Sequence, residues 1–449
     1  MNYFPILCML ISLQVGIHSQ KPVVVAAISQ GYVNYIRDLA IPIINKEFHT
    51  IHVPDQSGKA GPIHYELENI YFNVNQLTSS QIAVNLINGQ SEIQLSVNNI
   101  GGNGNLDAHY KILFVKGHSR VTVGMQDVGS NVKLFFGVDG SGRPRVSANG
   151  DLDIQYKHFS LHFSGSVSSV VLDILEPIIK DILIHEIRNN FNTILSTITD
   201  NVNKKLAQIP LDHQIKDPFY VHYSFPYAPV VVNDHISIPL YAYIYPRTHP
   251  SPPPFYPPAL PSYDPNNKKG VQIFLSDFFF QTGLDAVYEI SLFKFSYNIT
   301  FLKIYMELDC YLSQAPKIAL AGNFFFNASA RCDVKAIVND TTEKFGIISN
   351  VIFDVSEVIK NSIMYFRIDE KNIGLENLQF VNPSQFNLTW IEDNIDFFVA
   401  TIATVVNDFF GNTGFPLPKI ANITYTDIEE YIRTNYIALY TTPQIHFNP

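Results

Sequence analysis

Between residues 64 and 165 apolar and polar positions alternate one for one: Ile82, Val84 and Leu86; Ile93, Leu95 and Val97; Val132, Leu134, Phe136 and Val138; Leu152, Ile154 and Tyr156. A period of two sends alternate side chains to one face, so these segments predict strands with one dry side. Breaks rich in glycine and asparagine, at 101–105 (GGNGN) and 139–144 (DGSGRP), separate them. Connections that short leave no room for parallel crossovers, and the pattern predicts an antiparallel meander. On either side the period lengthens. Behind Pro22, Val25, Ile28, Tyr32, Ile36, Leu39 and Ile43 recur at three- and four-residue steps, predicting an amphipathic helix kinked at Pro42. From about 170 to 206 a second helix is predicted, with Val171, Leu175, Ile178, Ile182, Ile187, Phe191, Ile194, Ile198, Val202 and Leu206 on one side and a bend at Pro177. The first half thus reads helix, antiparallel sheet, long helix.

A proline-rich window then interrupts the pattern. Eight of the seventeen residues at 249–265 (HPSPPPFYPPALPSYDP) are proline, which removes donors, fixes φ and makes an extended, semi-rigid spacer. It divides the chain into a unit at 21–248 and another at 266–449, each long enough for its own core. Beyond it VQIFL (271–275) predicts a strand, Ser276 an N-cap, and the residues through Tyr288 a helix. Strand-rich sequence follows, and a late helix carries Ile391, Ile395, Phe398, Ile402, Val405 and Phe409 on one face. The second half repeats the order of elements without a residue-level repeat.

Composition narrows the function classes. Residues 1–20 carry no charged side chain and hold an apolar run from Phe4 to Ile17 with Ser19 near its end, the pattern of a secretory signal peptide. No later stretch is apolar enough for a membrane span, so the mature chain is expected to be secreted, extracellular or lumenal. Removing that segment leaves Cys310 and Cys332, which in an oxidising compartment make one disulfide. Five glycosylation sequons, Asn298, Asn327, Asn339, Asn387 and Asn422, all follow the linker. The net charge is −10, with most of the excess acid in the second half, which argues against a nucleic-acid partner. No nucleophile elbow, phosphate loop, dinucleotide fingerprint or complete zinc motif is present. His185-Glu186 starts a metalloprotease pattern that Asn189 and Asn190 fail to complete. The expectation is a non-enzymatic chain without metal or cofactor. Its apolar stripes, with 33 Phe and 24 Tyr, either fill a core or line an elongated lipid slot, and periodicity alone leaves both open.

Ordered segments carry a resemblance: QGYVNYIRDLAIPII (30–44), IHVPDQSG (51–58), DGSGRPRV (139–146), PPPFYPP (252–258), IFLSDFFFQTG (273–283) and GFPLP (414–418). Together they resemble the family of bactericidal/permeability-increasing and lipopolysaccharide-binding proteins, which also includes lipid-transfer proteins. The resemblance implies an α+β fold: an elongated boomerang of two barrel-like domains, each a twisted antiparallel sheet with long helices, joined by a central sheet and the proline-rich linker. It also implies an apolar pocket in each domain for phospholipid or lipopolysaccharide acyl chains. Carried onto this chain, the first pocket falls on Ile28, Tyr32, Ile36, Leu39, Leu175, Ile178 and Ile182, and the second on Phe278, Phe279, Ile395, Phe398 and Ile402. The implied role is innate recognition of bacterial lipid, with lipid carriage or transfer lacking an antibacterial role as the alternative. The implied partners are lipid and a membrane or bacterial surface, met peripherally by a monomer.

Two departures from the family pattern stand out. The family's first-domain disulfide is absent, since 146–149 and 184–187 contain no cysteine, so the long helix is expected to lift more easily and Cys310–Cys332 to staple neighbouring strands of the second domain. The lysine-rich tip that binds anionic head groups is thin: Lys46, Lys59, Lys111, Lys116 and Arg120 remain among Glu47, Glu66, Glu68 and Asp107, accompanied by His49, His52, His64, His109 and His118. Twelve of the fourteen histidines lie between residues 49 and 249. Because imidazole ordinarily titrates near pH ~6.5, they are either scattered structural residues or an acid-triggered cationic surface.

Overall fold

The structure is a computed structural model that describes residues 21–445 except 48, 292–293, 302–303, 339, 361–362, 382–403, 405–406, 408–414, 417–422 and 425. The signal segment, the late helix and the sequons Asn339, Asn387 and Asn422 lie outside the described residues. In the first half β1 (Val24–Ser29) leads into α1 (Gln30–Glu47). The meander follows as β2 (Thr50–Val53), β3 (Gln56–Ala60), β4 (Ile63–Val74), β5 (Ile82–Leu86), β6 (Glu92–Ile112), β7 (Val115–Val138), β8 (Pro144–Asp153) and β9 (Phe159–Phe163). The long helix α2 (Ser169–Gln208) comes next, then β10 (Asp212–Lys216), β11 (Phe219–Ser224), β12 (Val230–Val232) and β13 (His235–Pro246).

The predicted first helix starts eight residues late. Val25 and Ile28 belong to β1, not to a helix: the run VVAAIS is β-branched and buried on both faces, as a central strand requires. Ile28 faces Ile236 on one side and Val271 on the other. Pro42 does lie inside α1, and Pro177 inside α2.

The meander forms an antiparallel sheet in the order β2-β4-β6-β7-β8, with β3 beside β4, β5 beside β6 and β9 beside β7. Strands β6 and β7 form the longest hairpin of this half, in register from Glu92↔Phe135 to Ile112↔Val115. Near its turn two glycines let aromatic rings lie flat on the inner face. A side chain at Gly117 would fall 2.2 Å from the Tyr110 ring, and one at Gly58 would fall 2.4 Å from Tyr65.

Helix α2 covers the inner face with Val171, Leu175, Ile179, Leu183 and Ile187. Leu175 and Ile179 are fully buried with Phe72, Leu106, Val121 and Val123. The expected stripe ran through Ile178 and Ile182 instead, both only half-buried. Steps of four advance the stripe about 40° each around a helix of 3.6 residues per turn, so the buried line winds with the twisted sheet and leaves the straight line the pattern suggested. The missing disulfide has a polar counterpart. Val146 N donates to Asn203 Oδ1 (2.8 Å) and Asn203 Nδ2 donates to Val146 O (2.7 Å), tying α2 to edge strand β8. Arg143 adds bonds to the carbonyls of Ala207 (3.1 Å) and Ile209.

The second half contains β14 (Val271–Ser276), α3 (Asp277–Glu289), β15 (Phe295–Phe301), β16 (Ile304–Leu312), β17 (Lys317–Leu320), β18 (Phe324–Val338), β19 (Thr341–Lys360), β20 (Ile363–Val381), β21 (Phe415–Pro416), β22 (Ile423–Thr424), β23 (Glu429–Arg433), β24 (Tyr436–Thr441) and β25 (Gln444–Ile445). Ser276 caps α3 as predicted, its Oγ accepting from Phe278 N at 3.1 Å. Strands β15-β16-β18-β19-β20-β21 form the second antiparallel sheet, with β17 beside β18. Cys310 and Cys332 are direct partners across β16 and β18 and form the disulfide there. Among the described residues both sheets are open twisted antiparallel paths and not closed barrels; the register passes from strand to strand without returning to the first.

A central sheet, β10-β11-β13-β1-β14-β24-β23, takes strands from both halves, with β1 hydrogen-bonded between β13 and β14. The proline-rich segment straps onto it. Phe255 packs edge-on against Phe278 (5.0 Å between ring centres), Tyr263 stacks on His235 (4.6 Å), and Asp264 accepts from Tyr440 Oη at 2.8 Å.

Candidate functional site

The expected first-pocket residues divide between two packing units. Ile28, Tyr32 and Ile36 join the central-sheet cluster, whereas Leu175 and Ile182 belong to the core between α2 and the first sheet. Leu39 and Ile178 are half-buried and belong to neither cluster. Tyr32 is 5% exposed, and its hydroxyl donates to Pro443 O at 2.8 Å, which pins α1 to the chain's far end. Of the second set, Phe278 and Phe279 are buried on α3 within the central cluster. Ile395, Phe398 and Ile402 lie outside the described residues.

A different set of side chains forms an incompletely closed apolar strip. Nearest the β6–β7 turn the inner sheet face is sealed by α2. Toward the central sheet the seal ends, and Leu86, Leu95, Leu134 and Phe136 are only half-buried, packed with Ile28 and Ile238 around Val33, Val84, Ile93, Val231 and Ile236. The register brings the strip together: Leu86 faces Ile93, Val84 faces Leu95 and Ile93 faces Leu134. Where α2 runs on past this region its apolar residues also lose cover, with Ile198 and Val202 at 41% and 38% exposure. The alternation at 82–86, 93–97 and 132–138 marked these residues as one strand face. It could not mark the end of the helix cover, which depends on where α2 crosses the sheet.

The expected cationic tip also resolves into two places. Lys59 faces His64, His64 faces Lys111 and Lys111 faces Lys116, a row across four strands beside the β6–β7 turn. One row further in, His109 and His118 are cross-strand partners with rings 4.6 Å apart; His109 lies 3.7 Å from Glu68 and His118 3.9 Å from Asp107. Arg120 is 3.4 Å from Asp107, whose carboxyl is held below the usual range by hydrogen bonds from Asn69 and Arg120 and by the nearby charge of Arg120 and His118. Lys46, His49 and His52 sit elsewhere. His52 pairs with Tyr71, seven residues along β4 from His64, roughly 20 Å away at strand rise.

The comparisons place this architecture. A model of the LBP / BPI / CETP family, C-terminal domain, matches residues 213–303. Lipopolysaccharide-binding protein of Mus musculus is 24% identical over 94% of both chains, and bactericidal permeability-increasing protein of Rattus norvegicus 22% identical over 93% of this chain and 92% of its own. The crystal structure of lipopolysaccharide binding protein superposes with a TM-score of 0.60 at 19% identity, covering 95% of this chain and all of the other. The chain is similar to this family over nearly its whole length. Among the described residues, the LBP / BPI / CETP fold here has no group of three or more metal-ligating side chains, and no helix long and apolar enough to cross a membrane.

Proposed function

We propose that this chain is a secreted lipid-binding protein that shelters phospholipid or lipopolysaccharide acyl chains in apolar slots, one in each of the units 21–248 and 266–449, and does so without covalent chemistry. The observation that carries the reading is the half-buried strip of Leu86, Leu95, Leu134, Phe136 and Ile238 where the α2 cover ends. Each methylene removed from water there gains about 0.8 kcal/mol, so a strip this long holds an acyl chain at a bilayer's own level of stability. The relatives' names support lipopolysaccharide or bacterial lipid as ligand, and with it a role in innate recognition at a membrane or bacterial surface, as a monomer. The exposed sequon residues Asn298 and Asn327 suit glycosylation in a secretory route.

Carriage or transfer of phospholipid without an antibacterial role is the second reading. It is favoured by the small cationic row, backed by Glu68 and Asp107. Organic extraction of the purified mature protein, with mass spectrometry of the extract, tests the proposal: phospholipid or lipid A is expected. Leu134→Glu should lower the recovered lipid by at least about tenfold, because a carboxylate in the strip must stay solvated. An empty wild-type protein that also fails to take lipid from vesicles would refute it. Competition between lipid A and phosphatidylcholine for the loaded site separates the two readings.

A further inference from the structure

Ser130 places a hydroxyl where the packing asks for hydrocarbon. It lies on β7 in a row that crosses four strands: Ile82 faces Val97, Val97 faces Ser130 and Ser130 faces Leu152. Its neighbours in that row are aliphatic, and it is 3% exposed. Among the described residues its Oγ is the only buried hydroxyl oxygen without a hydrogen-bond partner. Other buried serines of the sheets are served: Ser119 Oγ donates to Ser164 O at 2.9 Å and Ser349 Oγ to Glu376 O at 3.2 Å. A hydroxyl stripped of water and left unpaired destabilises a fold, and alanine would fill the position without that cost. Folding therefore does not account for the serine.

Its place along the strip gives the reason. Val128, Ser130, Val132, Leu134 and Phe136 share the inner face of β7. Leu134 and Phe136 belong to the half-buried strip, and Val132, facing Leu95 on one side and Gly150 on the other, lies between them and Ser130. Helix α2 closes over this step, since a side chain at Gly150 would fall 2.7 Å from Leu195 and 3.1 Å from Phe191. Ser130 thus stands at the inner end of the strip, four residues from Leu134, or roughly 13 Å at strand rise. An acyl chain laid along the strip from its half-buried end meets this hydroxyl part-way down its length, far from its head group. A methylene leaves the serine unpaired, whereas a hydroxyl on the chain can both donate to it and accept from it. We infer that Ser130 is a specificity-determining residue of the first slot, pairing with a hydroxyl carried mid-chain by the bound lipid, so that the slot favours hydroxylated acyl chains over plain ones. This rests on the proposal that the strip holds acyl chains.

Competition between two phosphatidylcholines tests it, one with a plain octadecanoyl chain and the other with the same chain bearing a mid-chain hydroxyl. The delipidated mature protein is equilibrated with vesicles holding both in equal amount, and the lipid it takes up is extracted and quantified by mass spectrometry. One hydrogen bond in a site built for it favours the hydroxylated chain by about tenfold. Diluted by an indifferent slot in the second unit, that preference should appear as at least about a twofold excess of hydroxylated lipid from the wild type. Ser130→Ala should take up as much lipid in total, return the ratio to that of the vesicles, and hold or raise the thermal midpoint, because it removes an unpaired hydroxyl. Equal recovery of the two lipids by the wild type, or an excess that survives in Ser130→Ala, overturns the assignment. Uptake of neither lipid by the wild type refutes the slot itself, and the role of Ser130 with it.

Discussion

Replacing Asn203 by alanine removes both bonds through which α2 holds Val146. In the native chain the Asn203 amide pairs with the outer N–H and C=O of Val146, at 2.8 and 2.7 Å, as a further strand would. Among the described residues strand β8 pairs only with β7, so the amide blunts an edge as well as fixing a helix. Two such bonds contribute together roughly 1–3 kcal/mol net, and the better helix propensity of alanine returns about half a kcal/mol. A net local loss near ~1.4 kcal/mol raises the open fraction about tenfold. Amide hydrogen exchange reads this directly: Val146 should exchange about tenfold faster in Asn203→Ala, while Val132 and Leu134 on β7 keep their protection. Asn203→Asp keeps an acceptor for the Val146 N–H but turns a carboxylate toward its carbonyl, and should be no better than alanine. Wild-type protection at Val146 in both variants would refute the reasoning.

Leu175, fully buried between α2 and the sheet, should cost about 2–5 kcal/mol when cut to alanine, measured by denaturant unfolding; a loss below about 1 kcal/mol would mean that the site collapses without a cavity. Asp139 is pulled down to about 2 by the Ser141 hydroxyl, by the Arg143 and Ser141 amides and by the charge of Arg145. Its folded value lies below its unfolded one, so the stabilisation is complete above the ordinary carboxylate range and fades as pH falls from about 4 to about 2. Asp139→Asn should therefore exchange faster than wild type at the Ser141 amide near neutrality and match it in strong acid; an unchanged gap would be contrary evidence. His64 stands between Lys59 and Lys111, and His109 faces His118 with Glu66, Glu68 and Asp107 alongside. Reversing the charge on either side of His64, Lys59→Glu with Lys111→Glu, should weaken binding to phosphatidylglycerol vesicles at fixed pH and salt. Unchanged binding would mean that this row serves only the fold.

The α+β architecture was legible because its two periods are local properties. The alternation in β5, β6 and β7 and the long apolar stripe of α2 announce themselves without knowledge of what they pack against. The Ser276 cap was readable for the same reason. What failed was non-local. VVAAIS read as part of a helix because Ile28 falls in step with Tyr32 and Ile36, and only pairing with β13 and β14, more than two hundred residues away, makes it a strand. The winding line through Ile179 and Leu183 follows the twist of a sheet that no single window contains. Charges at Lys46 and His52 joined Lys111 in sequence reasoning, whereas the register of β2 on β4 sets them apart.

Strand β1 also sets a timetable. Its partners on both sides, Ile236 and Val271 among them, are made long after it, and the last neighbour of β14, strand β24, ends at Thr441. During synthesis the first strand must wait unpaired while the meander folds from local contacts, and the central sheet closes only when the chain is nearly complete. A fragment ending at the linker would keep its meander but carry β1 with one bare apolar edge. The central sheet thus joins the first strand to the last part of the chain, and a truncated product would expose that open edge.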